Sequence, residues 1–224
     1  VGTGESEDVV TMLTTGTLAT SSVATVIGTT GADAVRLLAT GALSISDVET
    51  VAGTGEADDV VTQLSEDTTL HILNVASVIG TVGSADVLQL HAAGSVTVQG
   101  IETVIGYVGT SDEITLAESG SLAVSSVETL IGAGDTDVAT MLNAGSMKVS
   151  GIETVIGSSG ADVVTLLEAG ALAVDGVETV IGSGGEDDVV TLLAADALSV
   201  GSVASVIGTS GATDTVHLLG RSEE

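Results

Sequence analysis

The chain has 224 residues and carries 31 Asp and Glu against three Lys and Arg, which gives a net charge of −28 at pH 7. Three cations cannot neutralise a phosphate backbone, so nucleic-acid binding is excluded, and an anionic membrane surface is not an expected partner. Hydrophobic residues make up 44% of the chain, which is enough apolar surface for a folded core and argues against a disordered acidic polymer.

Glycine recurs at nearly fixed spacing along the whole chain. Successive members of the series lie 25 to 27 residues apart, and most of them follow Val-Ile or Leu-Ile. Such a period predicts one continuous repeat array over residues 1–224. Because the chain starts inside a repeat turn, we expect it to be a piece of a longer protein. The glycines are Gly2, Gly28, Gly53, Gly80, Gly106, Gly132, Gly157, Gly182 and Gly208.

Each repeat contains three short apolar stretches separated by turn-forming residues. In the repeat that begins at Gly157 the stretches cover residues 164–167, 172–174 and 177–181. Their alternation and β-branched residues are typical of strands, and glycine interrupts the chain too often for helices. The sequence therefore predicts an all-β protein, a parallel β-solenoid of the β-helix or β-roll type. The prediction gives each coil about 25–26 residues and three short strands, with about eight to nine coils in all.

The turn that opens each repeat carries an aspartate two residues before an aliphatic residue. If each repeat is one coil, these carboxylates stack about 4.8 Å apart and repel by roughly 1 kcal/mol per pair in water. Calcium would offset this repulsion, because it takes carboxylate and backbone carbonyl oxygens together. Alternatively, each aspartate accepts hydrogen bonds from the backbone of its own turn. The predicted metal ligands are Asp33, Asp59, Asp86, Asp112, Asp137, Asp162, Asp188 and Asp214.

Two further columns recur once per repeat. The favoured interpretation of the glutamates is a solvated outer face, with alanine replacing them at Ala24, Ala76 and Ala204. The threonines follow the aspartate turn and are either solvent-facing strand residues or a binding face for ice, mineral or glycan. The glutamates are Glu49, Glu102, Glu128, Glu153 and Glu178, and the threonines are Thr11, Thr62, Thr115, Thr140, Thr165 and Thr191.

Residues that could support catalysis are scarce. His71, His91 and His217 occupy different positions in their repeats and show no metal-ligand spacing, so they are predicted to be surface residues. No serine has a recurring histidine and acid beside it, and we expect no enzymatic activity. Cysteine is absent, which removes disulfides and thiolate metal sites.

Parts of the chain resemble the haemolysin-type, repeats-in-toxin calcium-binding family, whose nonapeptide is Gly-Gly-x-Gly-x-Asp-x-aliphatic-x. Residues 160–164 read Gly-Ala-Asp-Val-Val and residues 31–35 read Gly-Ala-Asp-Ala-Val, which match the centre of this motif. The resemblance implies a secreted or cell-surface bacterial protein with calcium-stabilised β-roll coils. The family repeats its motif every nine residues, whereas this chain has one such turn in each long repeat.

Taken together, these patterns predict a structural repeat module without enzymatic activity. It would serve as a stalk, surface-layer, matrix or filament element that is stabilised by calcium. Open solenoid ends present unpaired backbone groups, so the expected partners are copies of the same chain, end to end or laterally, and divalent cations. The alternative is a binding module that uses the exposed threonine or glutamate face.

Overall fold

The computed structural model describes residues 8–66, 68–83, 85–109, 111–134, 136–194, 196–210 and 213–220. These residues form an all-β parallel β-solenoid with two sheets and no helices, in about 11 coils of about 18 residues each. The predicted solenoid is thereby confirmed. In the described part of the chain, no helix is long and apolar enough to cross a membrane. The chain divides into two compact units, Val1–Ile114 and Thr115–Glu224.

The first unit alternates between two parallel sheets. Odd-numbered strands pair with odd-numbered strands, and even-numbered strands pair with even-numbered strands. The strands are β1 (Val9–Thr11), β2 (Thr17–Thr20), β3 (Thr25–Ile27), β4 (Ala34–Leu37), β5 (Ala42–Ser46), β6 (Thr50–Ala52), β7 (Val60–Gln63), β8 (Thr69–Leu73), β9 (Ser77–Ile79), β10 (Val87–Leu90), β11 (Ser95–Gln99) and β12 (Thr103–Ile105), with β13 (Glu113–Leu116) at the boundary.

The second unit follows the same rule of alternation, with parallel pairing throughout. Its strands are β14 (Ser121–Ser125), β15 (Thr129–Ile131), β16 (Val138–Met141), β17 (Ser146–Ser150), β18 (Thr154–Ile156), β19 (Val163–Leu166), β20 (Ala171–Asp175), β21 (Thr179–Ile181), β22 (Val189–Leu192), β23 (Ala197–Gly201), β24 (Ser205–Ile207) and β25 (Thr215–Leu218).

The coil is smaller than the sequence repeat predicts. Val60 of β7 pairs with Ala42 of β5, which lies 18 residues earlier, and Val189 of β22 pairs with Ala171 of β20 at the same separation. One coil therefore holds two strands, not three, and the predicted 25–26 residues per coil and eight to nine coils are corrected accordingly. Three strands per sequence repeat, distributed over two sheets, mean that each repeat makes one and a half coils.

This mismatch mixes the three kinds of strand within each sheet. In β19, β21 and β23, the paired residues Val164, Val180 and Val200 come from three different positions of the repeat. All three are at most 3% exposed, as are most inward-facing residues of the core. The interior consists of aliphatic ladders, as expected, but each ladder combines strands of all three kinds. Proline is absent from the chain, which suits strands whose N–H groups are needed on both sides.

Two edges connect the sheets. We call the turns that lead from an odd-numbered to an even-numbered strand the first edge, and the turns that lead back the second edge. Because each repeat makes one and a half coils, equivalent turns of successive repeats fall on opposite edges. This alternation decides where the predicted site residues lie.

Candidate functional site: the aspartate turns

Successive turn aspartates do not stack on one another. In the first unit Asp33 precedes β4 on the first edge, Asp59 precedes β7 on the second edge, and Asp86 precedes β10 on the first edge again. Neighbours on one edge are thus three coils apart, about 14 Å at the usual strand spacing. At that distance two charges repel by only about 0.3 kcal/mol in water, and salt screens them further. The prediction that the turn aspartates stack about 4.8 Å apart and repel one another strongly is therefore wrong. The second unit repeats the alternation with Asp137, Asp162 and Asp188.

Asp162 shows how these carboxylates are held. Its side chain is fully buried, and its Oδ2 accepts hydrogen bonds from the backbone N–H of Ser158 at 2.6 Å and from the Ser158 hydroxyl at 2.9 Å. Its Oδ1 accepts the N–H of Gly145, in the preceding coil, at 3.1 Å. The carboxylate therefore closes its own turn and ties that turn to the coil before it, and these donors compensate the buried charge.

The same two contacts recur in both units. One oxygen accepts an N–H group from the start of the turn, and the other accepts a glycine N–H from the preceding coil. The turn donors to Oδ2 are the N–H groups of Thr29, Thr54, Thr81, Tyr107, Ala133, Ser158, Gly184 and Thr209. The glycine donors to Oδ1 are Gly16, Gly41, Gly94, Gly120, Gly145 and Gly170.

The hydrogen bonds at Asp33 also affect its ionisation. The hydroxyl and then the backbone N–H of Thr29 lower the pKa of Asp33 from its ordinary value of 3.8, and the N–H of Gly16 acts in the same direction. Burial of the carboxylate opposes these bonds but does not outweigh them. The ionised form is therefore the one that fits this turn.

Glutamate from the following coil completes several of the turns. The N–H of Asp162 donates to Oε2 of Glu178 at 2.7 Å, and the Asp162 carbonyl accepts the N–H of Thr179 at 3.1 Å. These glutamates are therefore bonded to the backbone and do not form the purely solvated face that the sequence predicts. The same contact joins Asp33 to Glu49, Asp86 to Glu102 and Asp137 to Glu153, at 2.6 to 2.8 Å.

The recurring glycine is required by close approach between coils. A Cβ at Gly157 would overlap the carbonyl oxygen of Gly176 in the next coil and would lie 2.9 Å from Oδ2 of Asp162. Gly176 has a φ of 63°, and the same corner is left-handed throughout both units, which turns its carbonyl toward the glycine. The equivalent corners are Ser22, Asp47, Asn74, Gly100, Ser126, Gly151 and Ser202, with φ between 54° and 60°.

Hydrogen-bond donors already engage the carboxylate oxygens of the aspartate turns. Calcium binds six to eight oxygen atoms, whereas the atoms around each turn carboxylate are mainly N–H and O–H donors. In the described ranges, no group of three or more His, Cys, Asp or Glu side chains lies close enough to hold a metal ion. The contacts favour the backbone-bonding alternative, and calcium binding stays a prediction.

The threonine positions do not form matched columns. Thr165 in β19 is flanked by Lys148 of β17 and Ile181 of β21. Thr140, one repeat earlier, lies on β16 in the other sheet. The half-coil offset therefore separates threonines that are equivalent in sequence, and the flat face required for an ice- or mineral-binding module is not assembled from them.

Coil stacking brings together two histidines that occupy different positions in their sequence repeats. His71 in β8 lies beside Gln89 of β10, and His91 directly follows β10. The His71 Nδ1 and the His91 Nε2 are 2.8 Å apart, and the rings meet edge to face. Burial and then the neighbouring His91 lower the pKa of His71, while Glu49 acts against them. The 20-residue separation signals a contact only once the coil length of about 18 residues is known.

A polar cavity of about 410 Å³ lies at the first edge beside His71, and its wall includes Glu49 and Gln63. Gln63 is 4% exposed, and its Nε2 donates to Oδ1 of Asp86 at 3.2 Å and contacts the Thr68 hydroxyl. Its Oε1 is buried without a hydrogen-bond partner in the described part of the chain. The aspartate network is thus modified here by a buried side-chain amide.

Comparisons with protein-family models, with curated proteins and with solved structures found no match to this chain. The coil architecture is compatible with a repeat protein, which is the part of the repeats-in-toxin resemblance that has support.

Proposed function

We propose that this chain is a non-enzymatic structural module, a stack of coils within a secreted or cell-surface bacterial protein. The supporting observation is the use of the recurring polar residues. Asp162 alone contacts Gly145 in the coil before, Ser158 in its own turn and Glu178 in the coil after. Side chains engaged in this way hold neighbouring coils together, which is what a stalk, surface-layer, matrix or filament element requires.

The placement outside the cell rests on composition and resemblance. A coil of about 18 residues with two strands has the length of two nine-residue motifs of the repeats-in-toxin type. The absence of cysteine and the net charge of −28 suit an extracellular repeat. The aspartate turn recurs on the same edge only every third coil, however, so two such turns never lie on adjacent coils of one edge within a unit. We therefore propose that hydrogen bonds, not ions, stabilise the coils.

Thermal unfolding followed by circular dichroism tests this proposal. The wild-type chain and the variants Asp137→Asn, Asp162→Asn and Asp188→Asn are compared in EGTA and in millimolar calcium at constant ionic strength. We expect wild-type Tm to be the same in both buffers, and each variant to be less stable in both. A calcium-specific rise in Tm that these substitutions abolish would overturn the hydrogen-bond account and establish a metal-stabilised array.

Exposed aliphatic residues within the array support self-association as part of the same function. Leu142, Leu167 and Leu193 each directly follow the strand after an aspartate turn and are 48%, 46% and 53% exposed. Recurring exposed aliphatic side chains favour lateral association with another chain. Light scattering at increasing protein concentration should show association that the double substitution Leu142→Lys and Leu193→Lys weakens. Monodisperse monomers of the wild-type chain at high concentration would contradict the proposal.

A further inference from the structure

Departures from the repeat concentrate on the adjacent strands β7 to β10. Gln63 stands where the other repeats have Leu or Met, and Thr68 stands where most have Gly. His71 replaces a residue that is Ala or Ser in most repeats, and His91 replaces Leu or Ala. The repeat fold does not require these residues, because it forms without them elsewhere. A local cluster of such departures is the expected mark of a site with its own chemistry.

The two histidines are placed to act as a pair. His71 lies half-buried on the outer side of β8, and His91 is exposed after β10. The His71 Nδ1 and the His91 Nε2 are 2.8 Å apart, so one of these nitrogens donates its proton to the lone pair of the other. A tetrahedral metal with metal–nitrogen bonds of about 2.0–2.1 Å would hold two such nitrogens about 3.3 Å apart. Rotation of the exposed His91 side chain can increase the distance between the two nitrogens by this small amount.

The surroundings favour a cation and indicate which class. Glu49 acts electrostatically on His71, and Asp47 and Glu49 both line the adjoining cavity. In the described ranges no third His, Cys, Asp or Glu completes a set of three ligands, which leaves the remaining coordination positions to water. Imidazole nitrogen selects zinc, copper and nickel over calcium and magnesium, which prefer oxygen.

We propose that the His71 Nδ1 and the His91 Nε2 together bind one divalent late transition-metal ion, of the class Zn²⁺, Ni²⁺ or Cu²⁺. The bound ion takes the place of the hydrogen-bonded proton, which moves to the other ring nitrogen of the histidine that carried it, so both imidazoles stay neutral. The ion thereby joins β8 to β10, which are neighbours in the same sheet. Since the two nitrogens meet only in the folded coil, the ion stabilises the native state by mass action. This site is independent of the structural function proposed above.

Isothermal titration of the full chain with Ni²⁺ tests the proposal. The titration is run near pH 7.5, where imidazole is neutral, with millimolar calcium present to occupy the acidic surface. The variants are His71→Gln and His91→Gln, and His217→Gln serves as the matched control because it changes a histidine on β25. We expect one ion per chain, affinity reduced by about tenfold or more in the first two variants, and affinity unchanged in the control.

A second readout separates loss of ligands from loss of fold. Addition of Zn²⁺ should shift the imidazole ¹⁵N resonances of His71 and His91 and leave those of His217 in place, while circular dichroism shows every variant folded. Absence of Ni²⁺ binding, or equal affinity in the wild type, His71→Gln and His91→Gln, would overturn the proposal. In the latter case the ion would be held by the acidic surface alone.

Discussion

Two aspartate turns of the second unit satisfy the same backbone group in different ways. The N–H of Asp162 donates to the side chain of Glu178, which comes from the following coil, at 2.7 Å. The N–H of Asp188 donates instead to the carbonyl of Gly185 in its own turn, at 3.4 Å. We call the first kind a Glu-closed turn and the second kind a self-closed turn.

The first unit contains the same contrast. The N–H of Asp33 donates to Glu49 at 2.6 Å, whereas the N–H of Asp59 donates to the carbonyl of Glu56 in its own turn at 3.2 Å. Ala76 occupies the repeat position at which a glutamate would contact the N–H of Asp59. Both units therefore use one turn framework with two interchangeable ways of closing it.

The residue directly before the aspartate distinguishes the two kinds of turn. Asp58 and Asp187 precede the aspartates of the self-closed turns, and both side chains are exposed. A glutamate oxygen bonded to the aspartate N–H lies beside this preceding residue, so a second negative charge there would repel it. We infer that electrostatic exclusion selects between the two kinds of turn. Neutral residues precede the aspartate wherever the glutamate is present, namely Ala32, Ala85, Ser111, Thr136 and Ala161.

The largest expected effect comes from removing the carboxylate that both kinds of turn share. Asp162→Ala in a Glu-closed turn and Asp188→Ala in a self-closed turn each leave several donors without an acceptor. The free energy of unfolding should fall by about 3 to 5 kcal/mol in either case, measured by urea unfolding with circular dichroism. A loss below about 1 kcal/mol in both variants would mean that the carboxylate network does not hold the coils together.

A second prediction concerns the glycine at the start of both kinds of turn. Gly157→Ala and Gly182→Ala place a methyl group against a carbonyl of the next coil and should each cost about 1 to 3 kcal/mol. Gly170→Ala is the matched control, since a Cβ there meets no atom within 4 Å and its N–H is retained. Its effect on the urea midpoint should stay within about 0.5 kcal/mol. Equal losses at all three glycines would remove close approach as the explanation.

A third prediction concerns the residue directly before the turn aspartate, which is neutral in Glu-closed turns and acidic in self-closed turns. Ala161→Asp should destabilise the Glu-closed turn of Asp162 by about 1 kcal/mol, because the new charge lies beside Glu178. In a Glu178→Ala background the same substitution should have little effect. A double-mutant cycle measured by urea unfolding gives the coupling between the two positions. Additive effects, with no coupling, would show that the residue before the aspartate does not select the closing group.

The smallest expected effect concerns acid and the Glu-closed turn of Asp33. Its pKa lies below the ordinary 3.8 in the folded chain, so the unfolded chain binds a proton more readily. The resulting stabilisation is present above the ordinary value and is lost as the pH falls through the lower folded value. Urea unfolding between about pH 5 and pH 2 should therefore show a steeper loss for the wild type than for Asp33→Asn. Parallel pH profiles would contradict the assignment.

The repeat glycine, the aspartate turn and the strands could all be predicted from sequence, because each recurs with a fixed period and each has a local physical cause. The coil length could not, since a repeat of three strands fits a coil with three strands as well as one with two. The composition of the core favours the coil with two strands. It contains no Phe or Trp, and small aliphatic side chains fill the space between two opposed sheets more readily than a wider interior.

Contacts that cross coils could not be predicted for the same reason. Glu178 reaches the N–H of Asp162 from 16 residues away, and His91 reaches His71 from 20. Neither separation matches the 26-residue period, so the sequence pattern indicates neither contact, although Glu178 and His91 are exposed as predicted. Alanine replaces the glutamate in the repeats where Asp58 and Asp187 precede the turn aspartate, and this replacement is visible in the sequence. Only the coil geometry gives a physical reason for it.

A cross-linking experiment tests the two-strand coil most directly, because the chain has no cysteine of its own. Lys148 and Thr165 are paired neighbours on β17 and β19, within the Cα separation that a disulfide allows. Thr140 and Thr165 are equivalent residues of successive repeats but lie on different sheets. Under mild oxidation, Lys148→Cys with Thr165→Cys should form an intramolecular disulfide, and Thr140→Cys with Thr165→Cys should not. The reverse result would contradict the account and restore one coil per repeat.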